Sequence, residues 1–100
     1  RDATEHGVSP QDIMGMVHWQ LRRVFEAKLM LLHGRGREDI RKELRIGFSF
    51  LDEFIATIQR FEMAVIEKAI RGLTDLDHAI KTGRIDALLG LERYFLELAN

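Results

Sequence analysis

The chain has 100 residues with no Cys, a single Pro, 46% apolar and 31% charged residues, and a formal net charge of −1. These values fit one soluble domain with a modest core of its own. They exclude disulfides and Cys-based zinc sites, and they offer no overall pull towards nucleic acid or anionic membrane. No apolar run approaches the roughly 18–20 residues of a membrane span, and no signal peptide is visible. The lack of Cys fits a reducing, cytoplasmic setting, and the lack of an initiating Met suggests a domain cut from a longer protein. Charge is uneven along the chain. Residues 22–45 hold eight Lys/Arg against four Asp/Glu, whereas the last fifteen residues hold three acids against one base.

Residues 1–8 are polar and read as a linker remnant, leaving 9–100 as the folded domain. Ser9, Pro10 and Asp12 then form a strong helix start, with Ser9 as N-cap and Asp12 on the positive end of the dipole. This first helix is predicted to run to about Leu32 and end at His33-Gly34. At 100° per residue, Ile13, Val17, Leu21, Val24, Phe25, Leu31 and Leu32 share one broad face, with Lys28 near its middle. Met16, Trp19 and Met30 lie on a second face, with Arg23 among them.

After the turn Gly34-Arg35-Gly36, a short helix is expected over about 37–45, with Ile40 and Leu44 inward. Ser49 is expected to cap a third helix, with Asp52 as the second half of a weak capping box. Phe50, Leu51, Phe54, Ile55, Ile58 and Phe61 form its apolar side. No Ser, Thr, Asp or Asn marks the junction near Arg60-Phe61-Glu62, so the boundary between helices three and four is open by several residues. The fourth helix runs from about Met63 to Thr82, where Met63, Ile66, Ile70, Leu73, Asp77 and Ile80 recur at alternating spacings of three and four. Gly83 is placed to end it in a left-handed conformation, and Asp86 to cap the fifth helix, about 87–99. No segment alternates with period two. The pattern predicts an all-α fold, a compact five-helix bundle.

Three charges fall on apolar faces: Lys28, Asp77 and Glu92. Ionisable residues are seldom buried unless paired. One cation from helix one and two acids from helices four and five suggest interhelical pairing that sets register. Lys28 snorkelling out of the face is the alternative. A carboxylate pair doing acid–base chemistry is disfavoured, because no nucleophile or metal cluster accompanies it. No two of His6, His18, His33 and His78 have the i, i+4 spacing of a helical metal site, so neither a metal nor a cofactor is expected. Gly34-Arg35-Gly36 lacks the Lys-Ser/Thr ending of a phosphate loop.

Two surfaces are candidates for binding. Met16, Trp19, Arg23 and Met30 combine residue types favoured at protein interfaces, though burial of helix one on two sides would explain them equally. Helices two and three resemble a helix-turn-helix in their apolar spacing, with a basic cluster over 35–45 suited to phosphates. Arg41 and Arg45 stand where that motif has a small residue and Gly, and Glu38, Asp39, Glu43, Asp52 and Glu53 would repel a nucleic-acid backbone.

The run Leu76-Asp77-x-x-Ile80-Lys81-Thr82-Gly83-Arg84, followed by Leu91-Glu92 and a Leu-rich end, resembles the C-terminus of the bacterial DNA polymerase III delta subunit, a clamp-loader component. The resemblance extends upstream through Lys28 and Gly34 to about Val8. It departs from the family at Arg41, Arg45, Ser49 and Glu62, where small residues, Pro or a capping residue are usual. The resemblance implies a collar domain, a helical bundle that joins its counterparts in the other clamp-loader subunits as a ring. It implies no catalysis by this region and no ATP hydrolysis by delta itself. The sliding clamp would be met only by an N-terminal domain not included here, and primed DNA weakly or indirectly. Lys81, Thr82, Gly83 and Arg84 would form an exposed positive turn able to approach the primer–template junction. The same charges can instead merely satisfy a helix C-terminus.

Overall fold

Ser9 opens the first helix through a reciprocal pair of bonds. Its Oγ accepts from the Asp12 amide at 3.1 Å, and its own amide donates to the Asp12 carboxylate at 3.2 Å. The structure, a computed structural model, describes residues 9–99. The linker expected over residues 1–8, His6 included, lies outside the described residues. Among the described residues five helices follow in order: α1 (Pro10–Leu32), α2 (Arg37–Leu44), α3 (Phe48–Arg60), α4 (Met63–Lys81) and α5 (Ala87–Ala99). The fold is all-α, a bundle with principal extents of 43 × 29 × 22 Å. Among the described residues, no helix is long and apolar enough to cross a membrane.

The helix ends show why the chain turns where it does. α1 stops at His33, with Gly34 at φ +78° and the Arg35 amide returning to the Met30 carbonyl at 2.8 Å. α4 stops in the same way at Thr82, with Gly83 at φ +75°. α2 also ends on a left-handed residue, but here it is Arg45, at φ +55°. Asp86 accepts from the Leu89 amide at 3.1 Å and so starts α5. The expected capping role of Ser49 is corrected. α3 begins two residues earlier, with Gly47 as N-cap and no side-chain cap bond, and Asp52 instead forms an ion pair with Arg37 across to α2. The open junction between helices three and four resolves to Phe61 and Glu62, two extended residues that supply no side-chain cap.

α1 is the spine, and its inward side rotates along its length. Its first half packs Met14 with Leu73, Leu91 and Tyr94 of α4 and α5, flanked by Ile13, Val17, Leu21, Leu76 and Ile80. Its second half packs Ala27 and Met30 with Ile40 of α2, Ile46 of the turn, and Leu51, Ile55 and Ile58 of α3. Burial of this kind supplies most of the stabilisation of such a domain, at about 25 cal/mol for each Å² of apolar surface removed from water. Gly90 lets α5 approach α4 closely, since a Cβ there would stand 2.6 Å from Leu76 Cδ1.

Candidate functional site

On the outer side of α1, Met16 is 67% and Trp19 61% exposed. The Arg23 guanidinium lies over the Trp19 ring, 4.4 Å from its centroid, and 5.9 Å from that of Phe54 on α3. Its Nη2 donates to the Leu44 carbonyl at 3.1 Å, which ties it to the end of α2. The indole is therefore held on a fixed cation beside a shallow cleft lined by Trp19, Arg23, Glu26, Glu43, Leu44 and Arg45. Met30 does not belong to this surface. It is 9% exposed and sits in the core with Ile40 and Ile58, because the second half of α1 turns that side towards α2 and α3. Both readings of the second apolar face thus hold in part: the helix is buried on two sides, and Met16 and Trp19 remain outside.

The expected pairing of Lys28 with Asp77 and Glu92 is not formed. Lys28 Nζ donates to the Ile58 carbonyl at 3.4 Å. Asp77 pairs with Lys81 one turn on, at 2.9 Å. Glu92 is on the outer side of α5, exposed, and makes no ion pair among the described residues. Water is cheaper than a buried pair for each of these charges, so the bundle keeps none of them in its core. Among the described residues, no polar or charged residue is fully buried.

The turn Lys81, Thr82, Gly83, Arg84 is exposed, but its amides are spent. Thr82, Gly83 and Arg84 donate to the carbonyls of His78, Ile80 and Ala79 at 3.0, 3.0 and 2.9 Å. The Thr82 hydroxyl donates to the His78 carbonyl at 2.9 Å. This is the two-bond closure of a helix end around a left-handed Gly. An anion at this turn would meet only the Lys81 and Arg84 side chains, and Lys81 is already shared with Asp77.

Three of the five cations in the basic cluster over 35–45 are similarly engaged. Arg35 pairs with Asp39 at 3.0 Å, Arg37 with Asp52, and Arg41 with Glu38. Arg41 also stacks over Phe48 at 4.1 Å. Asp52 and Glu53 stand on the exposed side of α3, the helix that would enter a groove in a helix-turn-helix. Each of those acids would repel phosphates.

An open groove between α4 and α5 is lined by Gly72, Leu76, Ile85, Tyr94 and Leu98, with Arg71, Arg84 and Arg93 at its rim. The Tyr94 hydroxyl donates to the Ala69 carbonyl at 2.6 Å, and burial pushes its phenol above the ordinary value of 10.0. That phenol is a packed structural group rather than a poised acid, since its proton is held in an interhelical bond. Among the described residues, no group of three or more His, Asp or Glu is placed to hold a metal ion.

The apolar arc of α5 is wide, taking in Leu88, Leu89, Leu91, Phe95, Leu96 and Leu98 with Glu92 inside it. The structure divides it. Gly90, Leu91 and Tyr94 face the core, whereas Leu88, Leu89, Phe95 and Leu96 are exposed. The signal was the width of the arc, which exceeds what one helix can bury against two neighbours.

Comparison with curated proteins and with solved structures returns no match. Comparison with family models matches residues 1–98 to the DNA polymerase III delta subunit, C-terminal domain. The chain belongs to that family, whose domain is a non-catalytic part of the clamp loader with a role in replication.

Proposed function

We propose that the domain is the collar of a clamp-loader delta subunit. It joins the corresponding domains of the other clamp-loader subunits in a ring and so helps load the sliding clamp onto primed DNA in the cytoplasm. The observation that carries this reading is Trp19, exposed yet fixed on Arg23 beside the equally exposed Met16. A rigid indole on a cation is a typical anchor for a protein partner, with little side-chain freedom left to lose on binding. A helix-turn-helix reading has less support, because Arg37 and Arg41 of α2 are paired with acids and α3 presents acids. The sliding clamp is left to an N-terminal domain. DNA contact by this domain is confined to weak phosphate attraction at Lys81 and Arg84.

Mixing the chain with the other clamp-loader subunits and following co-elution on a sizing column tests the assignment. Wild-type protein is expected to co-elute and to stay bound at high salt. Met16→Asp with Trp19→Asp is expected to abolish co-elution while leaving helicity intact, since both side chains lie outside the core. No co-elution of the wild type, together with tight and salt-sensitive DNA binding, would overturn the reading. In the full assembly, Lys81→Ala with Arg84→Ala is expected to weaken DNA-dependent loading severalfold; unchanged loading would make the turn structural only.

A further inference from the structure

The outer side of α5 has the pattern of a helix–helix seam that the fold does not use. Leu88, Glu92, Phe95 and Ala99 repeat at spacings of four, three and four, and Leu89, Glu92, Leu96 and Ala99 at three, four and three. These residues span about 120° of the helix at 100° per residue. Leu89 is 50% and Leu96 62% exposed, and Leu88 and Phe95 are also exposed. α5 satisfies its own packing on the opposite side, through Leu91 and Tyr94 against α1 and α4. The seam is therefore left largely uncovered, tied to the core by the edge-on contact of Phe95 with the Tyr94 ring, centroids 5.7 Å apart.

Glu92 occupies the centre of the seam. The four residues one turn away on either side, Leu88, Leu89, Phe95 and Leu96, are all apolar, so its helix offers it no cation there. Arg93 projects towards the α4/α5 groove instead. A lone polar residue at the centre of a seam sets register and selects the partner at a cost in stability. It also argues against a second copy of this chain. Any symmetric α5–α5 pairing centred on the seam would bring Glu92 against Glu92 in a partly dehydrated contact, where like charges repel far more than in water. Ring closure has a matching requirement: a ring member needs two different surfaces, one for each neighbour, and the Met16–Trp19 surface on α1 supplies only one.

We propose that the outer face of α5, built from Leu88, Leu89, Phe95 and Leu96 around Glu92, docks a helix of another clamp-loader subunit that carries a Lys or Arg within its own apolar stripe. The inference rests on the assembly role proposed above and adds the surface, the partner's chemistry and the residue that selects it. The apolar residues of the seam supply the buried area. Glu92 rejects partners without a cation at the matching height, because they would leave its carboxylate dehydrated and unpaired.

The test uses the full-length subunit assembled with the remaining clamp-loader subunits. A photoreactive p-benzoylphenylalanine is placed at position 96 and, in a separate protein, at position 19. Position 96 is expected to crosslink to one helix of one other subunit, next to a Lys or Arg. Glu92→Lys is expected to lower co-elution of that subunit at least tenfold, and Glu92→Gln to lower it less, with helical circular dichroism unchanged in both. Crosslinks from position 19 but none from position 96 would overturn the α5 surface and leave the assembly role standing. A crosslink from position 96 to a second copy would overturn the choice of partner. Co-elution unaffected by Glu92→Lys would overturn the charge selection. Failure of the wild-type subunit to assemble at all would overturn both readings.

Discussion

Tyr94 shows how one side chain can couple two helices and a pH dependence. Its ring fills the α1/α4/α5 core and lies against Gly72, where an added Cβ would come within 3.3 Å of it. Its hydroxyl closes on the Ala69 carbonyl of α4. Tyr94→Phe keeps the ring and removes the bond, leaving that carbonyl with only its helical partner. The expected loss is about 1 kcal/mol, the usual net value of a buried hydrogen bond. The sign of the pH effect follows from the raised phenol value. The unfolded chain ionises near 10.0 while the folded chain still holds its proton. The stability supplied by the neutral phenol is therefore complete below pH 10 and is lost as pH rises beyond it. Urea titrations of both proteins between pH 7 and 11 check this. The alkaline fall in stability should be shallower in Tyr94→Phe than in wild type, and equal slopes would mean that the phenol is as free to ionise in the fold as out of it.

Helix ends and helix faces differ in how far the sequence reveals them. A start or stop is a local event, decided by one or two residues that either can or cannot satisfy the free backbone groups. Ser9-Pro10-Asp12, Gly34, Gly83 and Asp86 were accordingly legible, and each does in the structure what its chemistry suggests. Ser49 has the chemistry of a cap, but the extended Gly47 lets Phe48 begin α3 two residues earlier than Ser49-capped geometry allows. Glu62 starts α4 without any side-chain bond, so nothing local marked that junction. Which charge lies outside is a tertiary question. Lys28, Asp77 and Glu92 sit on apolar arcs, but arcs on α1 and α5 are wider than the core they serve. Helical periodicity alone does not show where the core stops.

Arg45 is the instructive helix end. α2 needs a left-handed residue there for the Ile46 amide to return to Arg41, at 3.0 Å, and for Ile46 to enter the core. An L-residue with a side chain pays about 1–2 kcal/mol for that conformation, and Gly pays little beyond a larger unfolded-state entropy. Arg45→Gly is thus expected to raise stability by about 0.5–1 kcal/mol, read as a higher urea midpoint at unchanged slope. A lower midpoint would show that the arginine side chain contributes more than its backbone costs.

At the scale of the whole molecule, α1 is the only element among the described residues that belongs to both core clusters. α2 and α3 make their main contacts with α1 and each other, and α4 and α5 do the same on the other half of the spine. Neither half can separate without exposing a face of α1 that has no other cover, and α1 is one uninterrupted helix of 23 residues. The two clusters should therefore unfold together. Trp19 reports locally through its stacking on Arg23 and the nearby Phe54 of α3, whereas circular dichroism reports all five helices. The two urea transitions are expected to coincide. Ile58→Ala removes a fully buried side chain from the α2/α3 half and should cost about 2–5 kcal/mol, lowering both midpoints equally although four of the five helices are untouched by the substitution. If the Trp19 transition moved to lower urea while the helical signal stayed behind, the halves would be separate folding units, and the spine would be a tether between them. For the assembly role proposed above the distinction has a consequence. With a cooperative spine, a partner gripping Trp19 and a partner gripping α5 each stabilise the same folded state, so binding on one side of the molecule supports the surface presented on the other.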